Sequence, residues 1–235
     1  MDTTFAQGGV ALLEGDQVAA MSHFEGAEGH VARLPQEINR LMNEMGWQGH
    51  DLDLLAVTIG PGSFSGSRIA LGVAKGFSAA LGTPVVGIST LELLVAGLGV
   101  NGRNVAALLD ARRKEVYAGL YQMQKGINPV SLLPPALWDP ADFAQELVGF
   151  LKGTAEKMVL IGNGLIEYAP LFHAVLKTGC EVADPALWQF DLKRLGLMAQ
   201  QRVGTSNAET IAMLEPMYLR RADAKEAVAI RFAPP

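Results

Sequence analysis

Residues 54–81 force an abrupt change of direction. A run of β-formers from Leu54 to Ile59 ends in Gly60-Pro61-Gly62-Ser63-Phe64-Ser65-Gly66, and a helical pattern from Ser67 to Leu81 follows with no linker. Glycine supplies backbone angles that other residues avoid, so this block reads as a strand turning straight into a helix with its amides exposed. Two readings stand. The loop is a cradle for an anion, offered by Gly60, Gly62 and Ser63, or its glycines permit tight packing of strand on helix. The spacing favours packing, because it is neither the dinucleotide fingerprint nor the triphosphate loop: Lys75 lies too far beyond the last glycine.

The helix after the loop carries only Arg68 and Lys75 as charged residues, so almost its whole circumference is expected to leave water. Gly72, Gly76 and Ala80 recur every four residues and line up a shallow groove, with Ile69, Val73 and Phe77 as a ridge beside it. One sheet cannot cover both sides of such a helix. A second helix, from this chain or another, is expected in the groove.

In chain order, residues 1–22 read as a strand stub at Met1-Asp2-Thr3-Thr4 followed by a hairpin turning at Glu14-Gly15-Asp16. The first strand thus begins almost at its end. Val31, Leu34, Ile38, Leu41, Met42 and Met45 mark one face of a helix stopped by Gly46, with Pro35 tolerated only near its first turn. Strands at 52–59 and 85–88 alternate with helices at 66–81 and 91–98, and Asn101-Gly102-Arg103-Asn104 breaks the pattern. A boundary is expected there, giving units 1–103 and 104–235.

The second unit repeats the first in order. Strands at 105–109, 115–122 and 130–133 precede a helix at 140–151, a strand at 158–161 and a helix at 166–176. Each unit reads strand, strand, strand, helix, strand, helix, and each first strand ends on an aspartate, Asp2 or Asp110. Two such units make the duplicated α/β fold of the actin and sugar-kinase type, an RNase H-like (ASKHA) arrangement of two mixed-sheet lobes. A helix at 192–203, a closing segment at 208–218 and a loose tail complete the chain.

In nucleotide-binding members of that fold class the first hairpin of each lobe clasps phosphate. Here the first copy offers Thr3 and Thr4 with Gly8 and Gly9, whereas the second, Asp110-Ala111-Arg112-Arg113-Lys114-Glu115, has no glycine and a crowd of long charged side chains. Backbone amides do not close on a phosphate past that crowd, although Arg112 or Arg113 could meet an anion by charge. Of the four histidines, His23 and His30 stand seven apart, where two ligands on one helical face need three or four, so no metal is expected. Cys180 is the one cysteine, which excludes an internal disulfide and reads as a buried small apolar residue. Asp139 before Pro140 reads as a helix cap, and Glu92 suits the first turn of its helix. No serine has the nucleophile-elbow context.

The net charge of −5 and the lack of any basic run argue against direct grip on a nucleic-acid backbone. No stretch reaches the ~18 apolar residues of a membrane span, and the start does not read as a signal peptide, so the cytoplasm is the expected location.

Several blocks together resemble one family. Asp2-Thr3-Thr4, the Leu34-Pro35 region, the run from Gly60 to Ile69, Ala74-Lys75-Gly76, Gly87-Ile88-Ser89-Thr90-Leu91-Glu92, Asp110 to Tyr117 and Pro216-Met217-Tyr218-Leu219-Arg220 are similar to the TsaB (YeaZ) family. That family is the dimerisation subunit of the bacterial machinery that makes threonylcarbamoyladenosine beside the tRNA anticodon. The resemblance implies the actin-like fold, a heterodimer with the catalytic homologue TsaD, and recruitment of the small ATPase TsaE. It implies no cofactor for this chain alone, with ATP or ADP only at an interface shared with partners, and only indirect contact with tRNA. In the catalytic relative two histidines four apart bind the metal; this chain has only His30 in that neighbourhood, so the catalytic site is not inherited. Family members carry several apolar residues ahead of the position of Asp2, and Ser65 and Ser67 replace a usual threonine and a usual aliphatic residue.

The resulting expectation is a non-catalytic scaffold. Its interface is expected at Leu34, Ile38, Leu41, Met45, Ile69, Gly72, Val73, Gly76, Phe77 and Ala80, with self-association through the same helices when TsaD is absent. The competing expectations are an ATP-binding sugar-kinase-like enzyme and a glycoprotease-like (M22-type) metallopeptidase.

Overall fold

The computed structural model describes residues 1–5, 7–25, 30–124, 126–152, 156–203 and 214–220. The closing segment expected at 208–218 lies outside them up to residue 213, as does the tail beyond 220. In the first half, β1 (Gln7–Glu14) and β2 (Gln17–Glu25) form an antiparallel hairpin, followed by α1 (His30–Met45). Then β3 (Leu55–Gly60), α2 (Phe64–Leu81), β4 (Val85–Ser89) and α3 (Thr90–Gly97) follow, with β3 and β4 parallel. The second half runs β5 (Asn104–Asp110), β6 (Val116–Gln122), β7 (Val130–Trp138), α4 (Pro140–Val148), β8 (Met158–Ile161), α5 (Leu165–Leu176), β9 (Cys180–Val182) and α6 (Leu192–Val203).

The second half holds a five-stranded mixed sheet in the order β7-β6-β5-β8-β9, antiparallel up to β5 and parallel beyond it. That order, with both faces covered, is the actin-like lobe the alternation predicts. The alternation of β5 explains the covering. Ala106 and Leu108 point to the core shared with α4 and α5, while Val105, Ala107 and Leu109 point to a core shared with Leu91, Leu94 and Val95 of α3. The first half is built alike, except that its strands form two separate pairs, β1-β2 and β3-β4. Val10, Leu12, Leu55 and Val57 face α1 and α2, while Ala11 and Ala56 face α6.

The helices cross the boundary expected after residue 103. Thus α3 belongs by order to the first half yet packs on the second sheet, and α6 belongs to the second half yet packs on the first, through Leu192, Leu195 and Met198. Two of the strand-to-helix reversals use a glycine with positive φ, Gly60 at 100° between β3 and α2 and Gly162 at 113° between β8 and α5. Pro35 sits inside α1 rather than in its first turn, because the helix already starts at His30. Asp139 caps α4, accepting from the Ala141 amide at 2.8 Å.

Candidate partner-binding surface and the loop that aims it

The glycine loop is a packing device. A Cβ on Gly62 would lie 2.7 Å from the Thr4 carbonyl oxygen, and one on Gly66 would overlap the Thr3 carbonyl oxygen. Only glycine lets the loop lie flat on Thr3 and Thr4. The contact is then stitched: the Ser63 amide donates to Thr4 O at 2.8 Å, and the Thr3 hydroxyl donates to Gly66 O at 2.6 Å. Ser63 caps α2, its hydroxyl accepting from the Gly66 amide at 3.2 Å, so an open donor of the helix start is closed by the chain itself.

Thr3 and Thr4 are wholly buried. The Asp2 carboxylate, also buried, accepts from the Thr4 amide at 3.0 Å, the Thr4 hydroxyl at 2.6 Å and the Thr58 hydroxyl. The Thr3 hydroxyl, read as an anion ligand, thus holds the first strand stub to α2, the Thr4 hydroxyl is taken up within the stub by Asp2, and Asp2 ties the stub to β3 through Thr58. The second hairpin turns through three successive non-glycine residues with positive φ, Arg112, Arg113 and Lys114. The Arg112 amide donates to Asp110 Oδ1 at 2.8 Å, and its guanidinium lies 3.3 Å from the same carboxylate. Arg220 reaches Glu115 across this turn. Arg220 stood only inside a family-like block, with no role assigned, and nothing marked Thr58 in advance, since each acts from a distant part of the chain.

Three of the residues expected at the interface lie elsewhere. Leu34, Ile38 and Leu41 are buried within the chain's own core against α2 and the first sheet. An amphipathic stripe announces burial without saying whose core it enters, and here the chain's own sheet claims it. The outward face of α1 is polar instead, with Arg40 paired to Glu37 and Glu44 at 2.8 and 2.6 Å. Ser22 and Arg40 both donate to Glu37, which lowers its carboxyl below the usual range.

The remaining positions do form a surface. On α2, Ala70, Leu71 and Ala74 face inward, Ile69, Val73 and Phe77 are half-buried along the edge, and Gly72, Gly76, Ala79 and Ala80 are exposed. A Cβ on Gly72 or Gly76 would meet nothing within 4 Å. Met45, 38% exposed, closes α1. At the start of α2 stands a cluster that sequence reading missed: the Arg68 guanidinium lies 3.9 Å from the Phe64 ring centre, and its Nε donates to the Tyr218 hydroxyl at 2.6 Å. Phe64 and Tyr218 are both about half exposed. Met217 N–H donates to Ile59 O at 2.7 Å, so residues 214–220 are tied to the end of β3.

Other groups weighed for chemistry have structural surroundings. Cys180 is buried, its thiol pushed up by desolvation and 3.7 Å from His173 Nδ1. Among the described residues, no three His, Cys, Asp or Glu side chains gather closely enough to hold a metal ion, and no helix is long and apolar enough to cross a membrane. Glu92 sits in the first turn of α3 and pairs with Arg202 of α6 at 2.8 Å, tying the crossing helices together.

Known proteins with this arrangement are similar over nearly the whole chain. Residues 24–228 match the family model described as TsaD, tRNA N6-adenosine threonylcarbamoyltransferase. The tRNA threonylcarbamoyladenosine biosynthesis protein TsaB of Escherichia coli is 36% identical, over 94% of this chain and 93% of its own length. That of Bacillus subtilis is 28% identical, over 96% and 94%. The solved structure of YeaZ from Pseudomonas aeruginosa superposes with a TM-score of 0.77 at 27% identity, covering 93% of this chain and 97% of that one. At 36% identity over nearly the full length of both chains, and with its fold matching that of YeaZ, the chain belongs to the TsaB (YeaZ) family of tRNA threonylcarbamoyladenosine biosynthesis proteins.

Proposed function

We propose that this chain is a non-catalytic scaffold in threonylcarbamoyl transfer to the tRNA adenosine next to the anticodon, and that it pairs with the catalytic homologue TsaD through the outer flank of α2. The observation that carries this reading is the exposed line Gly72, Gly76 and Ala80, bordered by half-buried Ile69, Val73 and Phe77. A helix whose outward residues are glycine and alanine presents backbone at its surface, so a second helix can approach closely and bury both ridges. A specific pairing of this kind buries roughly 800 Å² on each partner, far more than the flank alone, so the neighbouring Met45 and the Phe64–Tyr218 cluster are read as its rim. TsaE joins the assembled pair. Nucleotide enters only where partners share a surface, and the net charge of −5 leaves tRNA to the partner. Alone, the chain pairs with a second copy through the same flank. The reading places the complex in the cytoplasm.

The test is the Gly76→Glu variant. It is expected to keep its circular dichroism spectrum and melting behaviour, because the position is open, and to lose capture of TsaD and the modified nucleoside in a reconstituted reaction. Capture at the wild-type level would remove α2 from the interface.

A further inference from the structure

The turn between β5 and β6 stands in a backbone conformation that its residues avoid. Arg112, Arg113 and Lys114 have φ of 62°, 56° and 63°, three left-handed residues in succession with no glycine among them. A Cβ in that region crowds the following carbonyl, so L-residues visit it singly and at a cost, and a run of three persists only where its surroundings hold it. Part of the hold is local. The Ala111 amide donates to Glu115 O at 3.0 Å, the Glu115 amide donates to Arg112 O at 3.1 Å, and the Arg112 amide donates to Asp110 Oδ1 at 2.8 Å.

The rest comes from a distant part of the chain. Arg220 Nη2 donates to Arg112 O at 3.4 Å, at the first left-handed residue, and to Glu115 Oε2 at 2.5 Å, just beyond the last. Arg220 thus closes the mouth of the turn. Residues 214–220 bring it there from the first lobe: Leu214 is buried in that lobe's core beside Gly87 of β4, the Met217 amide donates to Ile59 O at 2.7 Å, and the Tyr218 hydroxyl accepts from Arg68 Nε of α2 at 2.6 Å. The Tyr218 ring also lies 5.3 Å from that of Phe64. Only Leu219 separates the residue seated on α2 from the residue seated on the turn. Two residues reach about 7 Å at most, so one seat does not empty without pulling on the other.

We propose that residues 214–220 are a strap that couples the start of α2 to the conformation of the Arg112–Lys114 turn in the other lobe. Seated, the strap rests Tyr218 on Arg68 and Phe64 while Arg220 closes the turn, and the exposed side chains of Arg113 and Lys114 are displayed from a fixed backbone. Lifted from α2, it takes Arg220 with it, and the turn relaxes out of the left-handed region because its strain has lost the remote support. Phe64 and Tyr218 are about half exposed, so a molecule that covers them holds the strap down and sets the cationic display on the far lobe. The coupling goes beyond the pairing with TsaD and does not rest on it, since every contact in it belongs to this chain.

Amide hydrogen exchange in the isolated chain tests this at Ala111 and Glu115, whose amides close the turn, with Ala107 of β5 as the reference outside it. Tyr218→Phe keeps the ring but removes the acceptor for Arg68, and is expected to quicken exchange at both turn amides about 5-fold; Arg220→Ala is expected to quicken it about 30-fold, with Ala107 unchanged in both. Glycine takes left-handed angles without strain, so adding Arg113→Gly to Arg220→Ala is expected to bring the turn back to within about 5-fold of the wild-type rate. Turn amides unmoved by Tyr218→Phe, a rise at Ala107 as large as that at the turn, or no rescue by the glycine would each overturn the proposal.

Discussion

Thr3 meets Gly66 with both its side chain and its backbone: the Thr3 hydroxyl donates to Gly66 O at 2.6 Å, and the Thr3 carbonyl occupies the place a Gly66 Cβ would take. Replacing Gly66 by alanine must therefore part the strand stub from α2 or bend the loop. The expected loss is about 3 kcal/mol, the upper range for overpacking, read as a lower urea midpoint.

The other glycines of α2 should answer in the opposite sense. Gly72 is exposed in mid-helix with nothing near its missing Cβ, so Gly72→Ala is expected to stabilise the isolated chain by about 0.5–1 kcal/mol. If a partner helix lies against this flank, the same methyl will weaken capture of TsaD. Stability measured by denaturation and binding measured by titration should therefore move apart.

Asp2 carries three donors on one carboxylate in a buried setting. Asp2→Ala strands the Thr4 amide and the Thr4 and Thr58 hydroxyls, and is expected to destabilise by about 3 kcal/mol in thermal or urea unfolding. Asp2→Asn can still accept and should lose less than the alanine variant.

The amino terminus gives a pH signature. Desolvation lowers the Met1 amine from 8.0 to about 6, against a smaller opposing pull from Asp2. Between those values the unfolded chain binds the proton that the folded chain does not, so stability rises with pH from 6 to 8 and is lost as pH falls toward 6. A lowering from 8.0 to about 6 corresponds to about 2–3 kcal/mol. Comparing urea midpoints of the free and N-acetylated chains at both ends of that window should show the difference, with the acetylated chain lacking this component.

The second lobe was legible from its letters because its signals are local: Asp139 before Pro140 caps a helix, and the run 105–109 is apolar on both faces. The helix at 192–203 was placed to the residue. What the sequence could not show is where that helix goes, since α6 crosses to the first sheet and its stripe carries no address. The same gap misplaced Leu34, Ile38 and Leu41, whose periodicity fits a partner's groove and a private core equally well. At the loop, the ambiguity between anion cradle and tight packing turned on what lay opposite the glycines. Thr3 and Thr4, some sixty residues away in sequence, supply that answer, and composition alone does not reveal it.

The exchanged positions of α3 and α6 have a mechanical consequence. Sliding the lobes apart, as a clamshell opens on its substrate, would drag Leu91, Leu94 and Val95 off one sheet and Leu192, Leu195 and Met198 off the other, wetting two dry seams together. Such a body resists hinging. A partner that grips the outer helix of one lobe thereby holds the far lobe in fixed register as well.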